Sequence, residues 1–226
     1  MLRTYRALGA LISYPTKELQ EATGEIGSVL AEEGLLTADH RCDIDMMLVE
    51  MAGADIYELQ ERYVLQFDRS RSLSLHLSEH VHGESRDRGQ AMADLIELYR
   101  VHGFEPTATE LPDFLPLFLE FISLLPAKEA QSLLAEPAAI LAAMSQRLAS
   151  RKSSYAPVFA ALATLANAPA CDAREDSNED PEDLAALDAA WEEAAVHFGP
   201  GEQTDLCGAD RLRTRLRAAA RDVAIV

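Results

Sequence analysis

Three histidines and two glutamates fall within nine residues, His76-Leu77-Ser78-Glu79-His80-Val81-His82-Gly83-Glu84. The segment His76 to His80 fits the H-x-x-E-H pattern, in which two histidines one helical turn apart bind zinc. Glu79 would then be the general base and His82 a spare ligand. A catalytic zinc needs a third protein ligand, and the sequence nominates none. The plainer reading makes these histidines polar, partly exposed groups hydrogen-bonded to neighbouring acids. A further reading makes the cluster the rim of a groove that holds another polypeptide, because the stretch soon after it, Leu111 to Leu125, is apolar on nearly every side. No G-x-S-x-G, P-loop or dinucleotide fingerprint occurs. Cys42, Cys171 and Cys207 are scattered with no C-x-x-C, which suits reduced thiols in a cytosol.

The elements that must position this cluster read as helices. Leu2, Tyr5, Leu8 and Ile12 share one stripe, and Pro15 fits the first turn of a second helix that ends near Gly34. Ile44, Met47, Leu48 and Met51 follow the i, i+3, i+4, i+7 pattern. Ile56, Leu59, Tyr63 and Phe67 repeat it, then Met92, Leu95, Ile96 and Tyr99 up to a stop at Gly103. His102 suits the C-terminal end of that helix dipole. Ile140, Leu141, Met144 and Leu148 make another stripe, followed by Val158, Phe159, Leu162 and Leu165. The methionines at 46, 47, 51, 92 and 144 read as core. No run alternates with period two over strand length, so the fold class is all-α. The segment from Leu111 to Leu125 reads as a central buried helix. Pro112 and Pro116 within it demand a kinked or late first turn, with Glu110 and Asp113 near its positive end.

Composition narrows the classes. Apolar residues at 48% supply a core, and aromatics at only 6% favour helices over a β-sandwich. A net charge of −18 argues against nucleic acid and anionic lipid and for a basic partner, unless the acid surface only confers solubility. No window is long and apolar enough for a membrane span, and the N-terminal apolar run is too short for a signal segment. A soluble, cytoplasmic protein is expected. After Asn167 the acids crowd, from Asp172 to Asp183, and the chain ends with Arg211, Arg213, Arg215, Arg217 and Arg221 on a short amphipathic stretch. The expected organisation is one helical domain over residues 1–167 and a flexible acidic tail over 168–226, with one or two short helices.

The block from Glu61 to Leu125 resembles the NarJ-type nitrate reductase chaperones, also described as nitrate reductase delta subunits, within the wider TorD/DmsD family of molybdoenzyme assembly chaperones. The residues that carry the likeness are Tyr63-Val64, Phe67-Asp68-Arg69, Ser74-Leu75-His76-Leu77, Glu79 to Met92, and Glu110-Leu111-Pro112-Asp113 through Leu117-Phe118-Leu119-Glu120-Phe121. The resemblance implies an all-helical cytoplasmic chaperone without turnover, cofactor or metal of its own. Its implied partner is the N-terminal segment of a nitrate reductase catalytic (alpha) subunit. It would hold that segment until molybdenum cofactor is inserted, without joining the mature enzyme. Molybdenum cofactor biosynthesis proteins are candidate further partners. A Glu/Pro-x-Asp-His motif serves peptide binding in the wider family; here Pro112 and Asp113 match it, and Phe114 replaces the histidine.

The residues that the resemblance points to for a peptide groove or its frame are Tyr63, Phe67, Asp68 and Arg69, then His76, Glu79, His80 and Arg86, then Pro112, Asp113, Phe114 and Glu120. Glu79, Glu84, Asp113 and Glu120 are candidate partners for Arg or Lys of the leader. Arg86, Asp87 and Arg88 could instead form ion pairs that fix a helix connection. Protonation of His76, His80 and His82 near neutral pH would weaken capture of a basic peptide. A zinc hydrolase on His76 and His80, or a helical subunit of the finished complex, are the competing readings.

Overall fold

The computed structural model describes residues 2–82, 87–106 and 110–168, all inside a compact unit that runs from Met1 to Leu184. The acidic segment and arginine-rich end lie outside the described residues. Eleven α-helices occur among those described: α1 (Arg3–Leu11), α2 (Lys17–Glu21), α3 (Thr23–Glu33), α4 (Ala38–Gly53), α5 (Ile56–Tyr63), α6 (Leu77–His82), α7 (Asp87–Val101), α8 (Leu115–Ser123), α9 (Ala127–Ala135), α10 (Ala138–Ser150) and α11 (Ala156–Leu165). A π-turn, Val64–Asp68, extends α5, and a 3₁₀ turn follows at Arg71–Leu73. The all-α class read from the periodicity is what the chain adopts.

Local chemistry sets the boundaries. Thr16, Thr37 and Asp55 each accept a backbone N–H of the helix they precede, at 3.2, 3.3 and 2.8 Å. Pro15 therefore lies ahead of the cap and not in the first turn. The helix expected to run from it to Gly34 breaks at Ala22 into α2 and α3. Gly34 ends α3 with φ +61, the left-handed geometry a C-terminal glycine supplies at least cost.

The core is built around α8. Leu115, Phe118, Leu119, Phe121 and Ile122 are buried, and α1 packs antiparallel across them, with the Leu2 N–H donating to the Ser123 carbonyl at 2.8 Å. Gly9 permits that approach: a β-carbon there would stand 3.2 Å from Leu119 Cβ and from the Pro116 carbonyl oxygen. Pro116 occupies the first turn of α8, so the helix starts late, after Pro112. Leu111, expected inside the buried helix, precedes it and is exposed. Met47, Met51 and Met144 are core, whereas Met46 is 62% exposed on the outer side of α4.

Candidate peptide-binding site

The conspicuous residues meet where the head of α6 touches the head of α8. Extended backbone at His76 pairs with Phe114 as an antiparallel bridge. Leu77 N–H donates to the Asp113 carbonyl at 3.0 Å, and Leu115 N–H to the Leu75 carbonyl at 2.8 Å. Each extended segment thus supplies a carbonyl acceptor to the first orphan N–H of the other's helix. Asp113 is only 1% exposed, and it serves α6 rather than its own helix. One carboxylate oxygen accepts the Ser78 N–H at 3.2 Å, and the other accepts His76 Nδ1 at 3.3 Å. Burial alone would push this carboxyl up, but the bonds from His76 and Ser78 outweigh it and hold the group below its usual range. The bond to Asp113 correspondingly raises His76 against its partial burial.

These bonds bear on the zinc pattern. His76 precedes α6, so the two histidines of the motif do not ride one helix face. His80 donates Nε2–H to the Ser74 carbonyl at 2.8 Å, and burial lowers its pKa despite that bond. Among the described residues no group of three or more His, Cys, Asp and Glu side chains is placed to share an ion. His76 and His80 are both held in structural hydrogen bonds, and among the described residues no geometry supports the zinc-hydrolase reading.

Neighbouring elements lock the bridge. Tyr99 of α7 donates its buried hydroxyl to the Pro112 carbonyl at 2.7 Å, and Arg88 of α7 meets Glu79 at 3.2 Å. Arg147 of α10 donates to the Ser72 carbonyl at 3.0 Å, which fixes the loop leading to His76. Tyr63 and Phe67 are buried with Tyr155 and Phe159, with ring centroids 4.9 to 6.3 Å apart where they meet. Tyr155 keeps a hydroxyl without a partner among the described residues, and its burial pushes the pKa up to about 12.

Two clefts share this wall. A polar one of about 200 Å³ is lined by Tyr63, Phe67, Asp68, Ser74, Leu75, His76, Glu79 and Phe114. The His76 and Phe114 rings lie 5.4 Å apart beside it. A larger one of about 400 Å³ runs between α6, α7, α8 and α10. Leu77, Val81, Ala91, Leu95, Leu98, Phe118, Pro137 and Ile140 line it, with Asp94, Asp113 and Glu136 as its acids. Val81 is 64% exposed at its mouth.

The structure therefore brings together Tyr63, Phe67, Asp68, His76, Glu79, Asp113 and Phe114, with His80 and Pro112 bound into their frame. Arg69 is exposed and lines neither cleft. Glu120 faces α1, 3.6 Å from Arg6, and also lies outside both. Arg86 and Glu84 lie outside the described residues. The apolar groove was missed from the sequence because Leu77, Leu95, Phe118 and Ile140 look like ordinary core stripes. The one available signal was the acid at Asp94 and Glu136 beside them.

Comparison with known proteins gives the setting. The sequence model for the nitrate reductase delta subunit matches residues 15–161. The nitrate reductase molybdenum cofactor assembly chaperone NarJ of Escherichia coli K12 is 40% identical over 198 residues, covering 83% of this chain and 81% of NarJ. NarW of the same strain is 34% identical over 227 residues, covering 99% of this chain and 95% of NarW. A crystal structure of an Archaeoglobus fulgidus protein, described as a redox enzyme maturation protein, superposes with TM-score 0.54 at 23% identity. It covers 74% of this chain and 94% of that one, and so supports the fold. Among the described residues no helix is long and apolar enough to cross a membrane. With that coverage and identity, this chain belongs to the nitrate reductase delta subunit family.

Proposed function

We propose that this protein is a dedicated chaperone for a respiratory nitrate reductase. It binds the N-terminal segment of the catalytic subunit and holds it for molybdenum cofactor insertion, then leaves before the enzyme is complete. The observation that carries this reading is the acid-edged apolar groove between α6, α7, α8 and α10. An amphipathic leader needs an apolar trough for side chains at i, i+3 and i+4 and acids for its basic flank. Leu95, Leu98, Phe118 and Ile140 offer the first, and Asp94 and Glu136 the second. The chain's net charge of −18 favours encounter with a basic segment.

Affinity in such a site comes from apolar area, at about 25 cal/mol per Å² before the cost of ordering the peptide. The polar bridge contributes rigidity: with His76, Asp113, Tyr99 and Arg88 already paired, the groove walls need little reorganisation on binding. Calorimetric titration with the synthetic N-terminal peptide of the catalytic subunit tests the proposal. One peptide per chain is expected, with a negative heat-capacity change from apolar burial. No measurable binding would reject it.

The competing reading, a resident helical subunit, predicts that the protein stays in the purified active complex. The chaperone reading predicts its absence there.

A further inference from the structure

The described acids that the sequence offers to a basic leader are already engaged. Glu79 is paired with Arg88, Asp113 is engaged by His76 and Ser78, and Glu120 meets Arg6. Asp68 differs: it lines the polar cleft, it is exposed, and among the described residues it has no ion-pair partner.

The π-turn puts it there. In a continuous α-helix, residues five apart stand about 140° from each other round the axis, so Asp68 would turn away from Tyr63. The wider turn at Val64–Asp68, in which Arg69 N–H donates to the Val64 carbonyl at 3.2 Å, brings the carboxylate round to the cleft that Tyr63 and Phe67 floor. Such turns are rare and concentrate where a redirected side chain is used.

Among the described residues, the charges lining the cleft then leave one unbalanced. Glu79 is offset by Arg88 and His76 by Asp113, which leaves a single carboxylate beside aromatic rings in about 200 Å³. That space and charge match one cationic side chain. A guanidinium fits better than an ammonium, because its plane can stack on the Phe114–His76 pair while two N–H groups meet the carboxylate side by side.

We infer that the polar cleft takes one arginine side chain of the bound leader, with the Asp68 carboxylate as its counter-ion. This rests on the leader-binding reading and deepens it: the apolar groove holds the peptide, and the cleft fixes its register.

A double-mutant cycle tests the inference. Wild-type protein and Asp68→Asn are titrated with the synthetic leader and with versions in which each arginine in turn is replaced by uncharged citrulline. At one position citrulline lowers wild-type affinity about tenfold yet costs Asp68→Asn nothing more. Asp68→Glu, which keeps the charge, restores part of that coupling, and matched unfolding curves show that all three proteins are folded. Equal citrulline losses in wild type and Asp68→Asn overturn the inference, as does a leader without arginine that binds just as well. If wild-type protein ignores the natural leader altogether, the blank first titration shows that the underlying reading has failed and this inference with it.

Discussion

The two clefts beside the His76–Asp113 pair are built from opposite materials. The polar one is lined by six of the twelve residues singled out from the sequence, Tyr63, Phe67, Asp68, His76, Glu79 and Phe114, and most of these already have partners. The apolar one is lined by leucines, a valine, a phenylalanine and an isoleucine without distinctive chemistry, of which Val81 is exposed and Leu77, Leu95, Leu98 and Ile140 are partly so. Density of chemically distinctive residues and accessible apolar area are therefore found in different clefts of this molecule. The distinctive residues make a joint between two helix heads, and in the function proposed above the plain ones offer the area from which affinity is built.

This contrast breaks if the groove tolerates charge. Leu95→Glu places a carboxylate in the apolar lining, and leader affinity should fall about a hundredfold, since burying a leucine side chain is worth about 1.5–3 kcal/mol. Calorimetry with the leader peptide reads the change, and an unaltered affinity would move the binding site elsewhere.

The joint is tested next through stability. Asp113→Ala strips the Ser78 N–H and the His76 ring of their acceptor in a buried place, so stability should drop by roughly 2–3 kcal/mol in denaturant unfolding. A loss below half of that would make the pair ornamental. The linkage has a definite sign. The His76 pKa is raised, so its contribution is complete below its unfolded value near 6.5 and fades as pH rises through the folded value. The Asp113 pKa is depressed, so its contribution holds above its unfolded value near 3.9 and is lost in acid, as pH falls through the folded value.

A smaller effect sharpens the role of the polar cleft. Burial lowers the His80 pKa while the bond to Asp113 raises that of His76, so of these two histidines His76 is the one that titrates above pH 6.5. Its protonated ring sits with Asp113, Glu79 and Arg88 beside the cleft and disfavours a cationic guest. Leader affinity should thus rise about two- to threefold from pH 6 to pH 8 in low salt. A flat profile would take His76 off the binding rim. The smallest effect belongs to Glu120→Gln, which touches only an exposed pair with Arg6 and should leave leader affinity within error of wild type.

Much of this architecture was legible beforehand. The stripes at Ile44–Met51, Met92–Tyr99 and Ile140–Leu148 marked helices because their buried faces repeat with the period of the helix. Pro116 announced the late start of α8 because its ring suits only a first turn. What stayed hidden depends on contacts between distant residues. Nothing local pairs His76 with Phe114 or sends Asp113 to cap α6 at Ser78, 35 positions away, and so its own helix claimed it. The π-turn was hidden for a related reason: Tyr63 and Phe67 sit four apart, as an α-helix wants, and the inserted residue shows only in where Asp68 points. Glu120 followed a motif run in sequence, yet the helix carries it to an exposed edge beside Arg6 of α1.

The most direct test compares two forms of the client. Full-length nitrate reductase catalytic subunit, before cofactor insertion, and the same subunit without its N-terminal segment are each titrated against this protein. The chaperone account predicts a one-to-one complex with the first and severe loss of affinity with the second. Equal binding of both forms would contradict it.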